Sequence, residues 1–322
     1  MKRTITILFC LLTVLTACER EIPYKGEYQD PKLVIQSQMA ANDSVIYCTV
    51  SRSAFFLETG KKAYELTEGV TLTVTRENGE TISVPDTSII DPAVRYYWIP
   101  LATPLQAGEV VRLQASHPSY PTAFGQDSIV PMPDYTITSC VWDSVDAVCR
   151  VKILVGDNAD IHGVMAVRGA LTYSWTVDHY LTDESYVYSS TSKNIQSKDN
   201  IFASLGNAFS SEYGYNAKEE MYIKADEARN REISLEFPLY SNYYTPVSME
   251  IQLIALSEDA YRYRKAMYNY FGAYGTTDMD LGSELSSMFG IEESVQLYTN
   301  IENGYGIVAG RSPNIQTYYF LK

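Results

Sequence analysis

The clearest chemistry in this sequence belongs to a cysteine near its start. Leu15-Thr16-Ala17-Cys18 closes a segment that opens Met1-Lys2-Arg3 and is mostly apolar from Thr4 to Leu15. A basic start, an apolar stretch of roughly a dozen residues and small residues just before a cysteine make a lipobox, the cleavage site of a lipoprotein signal peptide. The expected outcome is loss of residues 1–17 and lipidation of the Cys18 thiol with diacylglyceryl and palmitate-type chains. Two or more chains anchor a protein stably where one is marginal.

The remaining reactive side chains form no such pattern. Cys48 lies on one strand face with Ile46 and Val50 and is expected to pack as a small apolar residue. Cys140 and Cys149 flank an expected turn at Ser144-Val145, which sets them opposite each other across a hairpin. A disulfide suits an envelope protein, but a directly opposite bond is geometrically demanding, so a disulfide and two buried thiols both stay open. The three histidines are scattered. His117 precedes Pro118 in what reads as a solvated loop, His162 follows Asp157 and Asp160 in a polar turn, and His179 sits beside Asp178. Their spacing matches no zinc or calcium site. There is no Gly-x-Ser-x-Gly elbow, His-Glu-x-x-His pair, phosphate loop or Gly-x-Gly-x-x-Gly turn. We expect no catalytic residues, metal or cofactor, and no enzymatic activity.

Tyrosine is the compositional anomaly, with 27 in 322 residues. Its flat apolar body and polar tip suit contacts with sugars, peptides or proteins. Trp175, Tyr180, Tyr186 and Tyr188 lie in a polar stretch and are expected to line a recognition surface for a ligand or partner. The competing reading is that strands favour tyrosine anyway.

These residues must be positioned by strands. From Pro31 onward apolar and polar residues alternate with period two. Strands are expected at Leu33-Val34-Ile35, Val45 to Val50, Val70 to Thr75, Thr81 to Val84, Tyr96 to Ile99 and Val110 to Ala115. Asn78-Gly79 supplies a hairpin turn in which both positions tolerate positive φ. This gives an N-terminal β-sandwich over 31–131, Ig-like or transthyretin-like. Val130-Pro131-Met132-Pro133 marks an extended connector. A second β-rich domain spans 132–322, with strands at Tyr135 to Trp142, Ala147 to Val155, Gly163 to Val177, Glu232 to Leu239 and Val247 to Leu253. There the period changes: Ser257-Glu258-Asp259 is a cap followed by two acids, opening a helix near 258–272. A shorter helix is expected at Gly282 to Phe289, and two strands around Ile307 and Tyr318 close the chain. The fold class is therefore mainly β with one or two helices.

Charge narrows the partners. Lys and Arg number 25 against 39 Asp and Glu, a net of −14, which argues against nucleic acid. Loss of Lys2 and Arg3 with the signal takes −14 to −16. After Cys18, residues 18–30 read as a polar, Pro/Gly-interrupted tether. Its acidic start resembles the surface-export signal of Bacteroidetes lipoproteins.

Cys18-Glu-Arg-Glu-Ile-Pro-Tyr-Lys-Gly26, followed by Pro31-Lys-Leu-Val-Ile35, resembles the opening of the Bacteroidetes lipoproteins called domain of unknown function 4249. Leu256-Ser-Glu-Asp-Ala-Tyr-Arg-Tyr263 is similar to that family's strand-to-helix passage. Val295-Gln-Leu-Tyr-Thr-Asn-Ile-Glu-Asn-Gly-Tyr-Gly306 is similar to its C-terminal signature. Ile307-Val308 departs from the aromatic common at that place, and Thr277 to Ile291 is longer than usual. The resemblance implies a two-part β protein, lipid-anchored in the outer membrane on its surface or periplasmic face. It also implies a role as accessory to a TonB-dependent receptor, and it carries over no catalytic residues. The favoured expectation is a non-enzymatic ligand-binding or accessory lipoprotein of such a transporter. The alternative is a structural or adhesive surface module.

Overall fold

Alternation decides which way each strand faces, and the period-two segments fold as their patterns dictate. A computed structural model describes residues 30–54, 66, 68–86, 93–179, 184–202, 205, 207–209, 218–275 and 297–320. Cys18, Tyr180, the signal segment and the expected helix at Gly282 to Phe289 lie outside the described residues.

The first half contributes β1 (Leu33–Met39), β2 (Val45–Arg52), β3 (Thr71–Arg76), β4 (Thr81–Val84), β5 (Val94–Pro100), β6 (Val110–His117) and β7 (Tyr120–Ser128). Leu33, Ile35, Ile46, Cys48, Val50, Tyr97 and Ile99 point inward from β1, β2 and β5. They meet Leu72, Val74, Val111, Leu113 and Ala123 from the four-stranded sheet β4-β3-β6-β7. Two sheets closing on one core make a β-sandwich. Each fully buried Leu, Ile or Val contributes ~1.5–3 kcal/mol relative to exposure. The β3–β4 turn differs from the expectation in one respect: only Gly79, at φ +89°, has positive φ there. Gly79 N–H donates to the Arg76 carbonyl and Arg76 N–H to that of Glu80, a three-residue loop rather than a two-residue one. His117 is also not solvated. It ends β6 facing inward, 8% exposed, with its ring 4.9 Å from Tyr120.

The second half contributes β8 (Tyr135–Asp143), β9 (Val148–Val155), β10 (Val164–His179), β11 (Glu184–Ser192), β12 (Asn207–Phe209), β13 (Lys218–Lys224), β14 (Glu232–Pro238), β15 (Thr245–Leu256) and β16 (Tyr305–Tyr319). The sheet β14-β9-β8 packs on β10, β13 and β15 around Ile153, Met165, Val167, Phe237, Ile251 and Leu253. Gly169 is small because Phe237 lies on it: a Cβ there would sit 2.2 Å from the ring. A helix, Glu258–Gly275, starts where the sequence places it. Ser257 Oγ accepts the Ala260 N–H at 3.1 Å, capping the first turn. The helix covers the outer face of Val164, Ala166, Ile254, Leu256, Ile307 and Ala309 through Ala260, Tyr261 and Tyr263. A single-turn helix, Ala225–Ala228, follows β13.

One strand joins the halves. The two closing strands expected around Ile307 and Tyr318 are a single β16. Its first part, Tyr305 to Gly310, pairs parallel with β1, and its second, Arg311 to Tyr319, pairs antiparallel with β15. The large sheet thus runs β12-β13-β10-β15-β16-β1-β2-β5, with β11 also on β10. Residues 31–322 cluster as one compact unit. The first core takes Ile301 and Val308 from beyond the expected 131/132 boundary, and the large sheet crosses it as well.

Candidate functional site

A strand that buries one face must show the other, and on β2 and β5 the shown face is aromatic. Tyr47 opposes Trp98 across β2–β5, Thr49 opposes Tyr96, and Gln36 on β1 opposes Thr49. Tyr47 and Trp98 are 58% and 57% exposed. Their rings meet edge to face at 6.4 Å, and the Tyr96 and Trp98 rings stack at 6.2 Å. A groove of about 320 Å³ lies over these rows, with Gln36 and Gln38 on one side and Tyr263 of the long helix on another. Among the described residues none of its lining is charged, in a chain one-fifth charged. Sequence reading missed this site. Its signal was there, since the face opposite Ile46, Cys48 and Val50 must carry Tyr47, and the alternation of β5 must show Tyr96 with Trp98.

The aromatic surface expected around Trp175 exists in part. Trp175 on β10 opposes Tyr188 on β11, with rings stacked at 5.7 Å; Tyr186 opposes Val177 on the same face. Tyr173 and Tyr244 extend the cluster, 4.6 Å apart, and both pack against the second core. Trp175 is half-buried by this support, whereas Tyr186 and Tyr188 are exposed.

The cysteines are not directly opposite. β8 and β9 pair Cys140 with Val151 and Trp142 with Cys149, so the two thiols sit diagonally on the buried face with sulfurs 3.7 Å apart. Both are free thiols. Their contact holds the Cys140 thiol below the ordinary range and the Cys149 thiol above it. Burial pushes the Cys48 thiol up.

The residues that resemble family signatures build a joint. Asp127, at the end of β7, accepts the Gly310 N–H at 2.9 Å and the Ser257 hydroxyl, which also caps the helix. Burial raises the Asp127 carboxyl above the usual range despite these donors. Asn300 donates to Asp259 at 2.9 Å and to the Val308 carbonyl at 2.7 Å, and accepts the Val308 N–H. Tyr298 donates to Asp259, its phenol pushed up to about 12 by burial and by that carboxylate. A cleft of about 640 Å³ beside this joint is lined by Asp127, Asp160, His162, Glu258 and Asp259. Among the described residues no three His, Cys, Asp or Glu side chains converge to hold a metal ion. Asp127 already receives donors from both halves, as a structural tie does.

Four charged groups meet under the helix. Glu220 on β13 is bound by Arg168 at 2.8 Å and by Arg264. Arg311 lies close to them with no ion pair of its own among the described residues, and burial followed by its two arginine neighbours pushes its guanidinium down to about 10.

The model of a family described as Domain of unknown function (DUF4249) matches residues 19–315. No curated protein matches the chain. Among solved structures, a segment of two fibronectin type-III domains from chicken tenascin is similar over 70% of this chain and 91% of its own, at 10% identity and a TM-score of 0.19. A DUF4785 family protein from Legionella pneumophila is similar over 70% of this chain and 53% of its own, at 10% identity and a TM-score of 0.25.

Proposed function

The chain belongs to the family described as domain of unknown function DUF4249, and from that premise we propose that it is a non-enzymatic, ligand-binding accessory of a TonB-dependent transporter, lipid-anchored in the outer membrane. The observation that carries the binding part is the uncharged aromatic groove over Tyr47, Tyr96 and Trp98. Exposed large aromatics cost solubility and are kept where something covers them. Cys18 supplies the anchor, and the tether after it lets the body reach a receptor's mouth from the cell surface or the periplasmic face. The acidic balance holds the body off anionic membrane by repulsion. An adhesive or structural surface module is the second reading. It is favoured by β11, where Tyr186, Val187 and Tyr188 are exposed at 45%, 73% and 48%.

The test is native mass spectrometry of the detergent-extracted, lipidated chain after exposure to an extract of the culture medium. The wild type is expected to carry a bound mass that the Tyr47→Ala/Trp98→Ala variant lacks. No bound mass on either protein, or the same mass on both, would contradict the proposal.

A further inference from the structure

The groove's chemistry narrows its occupant, and we propose that it takes a neutral saccharide. This rests on the reading of the groove as a ligand site. Two cross-strand rows form its floor: Gln36–Thr49–Tyr96, and Tyr47–Trp98 with Gln38 alongside on β1. Opposite residues on neighbouring strands stand ~4.5–5.5 Å apart, and rows two residues apart stand ~6.8 Å apart, so the aromatic faces and the amide heads share one small surface.

Several polar groups at this surface are uncommitted. Among the described residues, the side-chain amides of Gln36 and Gln38, the Thr49 hydroxyl and the Trp98 indole N–H have no hydrogen-bond partner in the protein. An amide and a hydroxyl each offer both a donor and an acceptor. An anion would call for positive charge, and a metal cation for carboxylates. Neither is present in the lining among the described residues, and the net charge of −14 repels anions at longer range. A purely apolar ligand would strand the amides and the hydroxyl. A sugar ring meets both demands. Its C–H face lies on the stacked rings of Tyr96 and Trp98, while its hydroxyls, each donor and acceptor, meet the glutamines and Thr49. The volume, about 320 Å³, falls at the small end of ligand clefts, ~300–1,000 Å³. That suits a short stretch of a chain lying across an open groove.

The experiment titrates the detergent-solubilised, lipidated chain with maltohexaose, cellohexaose and mannohexaose. Hexagalacturonate serves as an acidic counterpart of equal length, and binding is read by calorimetry. At least one neutral hexamer is expected to bind, with hexagalacturonate at least about tenfold weaker. Trp98→Ala and the Gln36→Ala/Gln38→Ala pair should each lose about tenfold or more. Their melting temperatures should stay that of the wild type, because all three side chains are exposed. Tyr240→Ala, at an exposed tyrosine outside the groove, is expected to bind like the wild type. No binding of any neutral hexamer below about 10 mM, equal binding by Trp98→Ala, or tighter binding of hexagalacturonate would overturn the assignment. If the neutral hexamers fail while native mass spectrometry still shows a Trp98-dependent bound mass, the saccharide assignment falls and the ligand-site reading stands. If that mass is also missing, both fall.

Discussion

Arg76 and Glu109 show how a polar residue survives inside the first sandwich. Arg76 ends β3 facing inward, and its guanidinium makes paired contacts with Glu109 at 2.6 and 2.9 Å, with Glu80 at 2.7 Å and with the Thr103 carbonyl at 2.8 Å. The hydrogen bonds from Arg76 hold the Glu109 carboxyl below its usual range. A carboxylate with a depressed folded pKa adds stability above the ordinary glutamate pKa, and that stability is lost as pH falls through the folded value. Glu109→Gln is therefore expected to destabilise the chain by about 2 kcal/mol near neutrality, since Arg76 loses its paired carboxylate contact and keeps only that of Glu80. The gap between variant and wild type should close as pH falls below about 4. Urea denaturation across pH checks this, and a gap independent of pH would count against it. Neither buried arginine was legible in the sequence as an inward residue. Arg76 and Arg95 occupy positions that alternation assigns to the core, but their charge argues the other way until Glu109 and Asp86 are known to meet them. The same limit hid the Glu220 cluster, whose members come from three strands and a helix.

Elements were read well where one face is buried and poorly where polarity masks the period. β1, β2, β3, β6, β9 and β14 alternate along their length, β8 does so apart from a bulge at Ile137/Ser139 and β15 until its fully buried end, and all stand within a few residues of their expected places. β11 and β13 were missed, because Glu184-Ser-Tyr-Val-Tyr-Ser-Ser-Thr-Ser192 and Lys218-Glu-Glu-Met-Tyr-Ile-Lys224 carry polar residues on both faces. β7 was missed too, since Pro121 and Gly125 interrupt it. In β16, Gly310 and Pro313 look like a break between two strands. The chain carries through because side chains take over at the crossing: Asp127 accepts the Gly310 N–H, and Ser312 Oγ accepts the Ala41 N–H at 2.9 Å. The parallel β1–β16 pairing depends on a glycine. Gly306 has φ +102°, and a Cβ there would lie 2.0 Å from the Ile35 carbonyl oxygen. Gly306→Ala is expected to cost about 3 kcal/mol or more through strain and collision. Amide exchange should quicken along 33–39 and 305–310 before the rest of the molecule. Uniform protection in the variant would show that this pairing is not held by the missing side chain.

At the scale of the whole molecule, the acidic balance and the mainly β class are legible in the sequence, because each is written in local pattern or in composition. The groove was not legible, since it needs β2 paired with β5, β1 on their other side and the helix folded back across β16. Strand order is set by which buried faces fit together, and no local pattern states it. The joint at Asp127, Ser257, Asp259 and Asn300 explains why the motifs resembling the family's passages sit where they do: they fasten the last strand and the helix to the first sandwich. What the assembled body does is the central claim, and one measurement reaches it most directly. The tagged, lipidated chain is purified from detergent-solubilised outer membranes, and everything retained with it is identified and quantified by mass spectrometry. A TonB-dependent barrel recovered in near-equal amount is the predicted result. A preparation with no barrel would contradict the accessory role and leave the adhesive module as the better account.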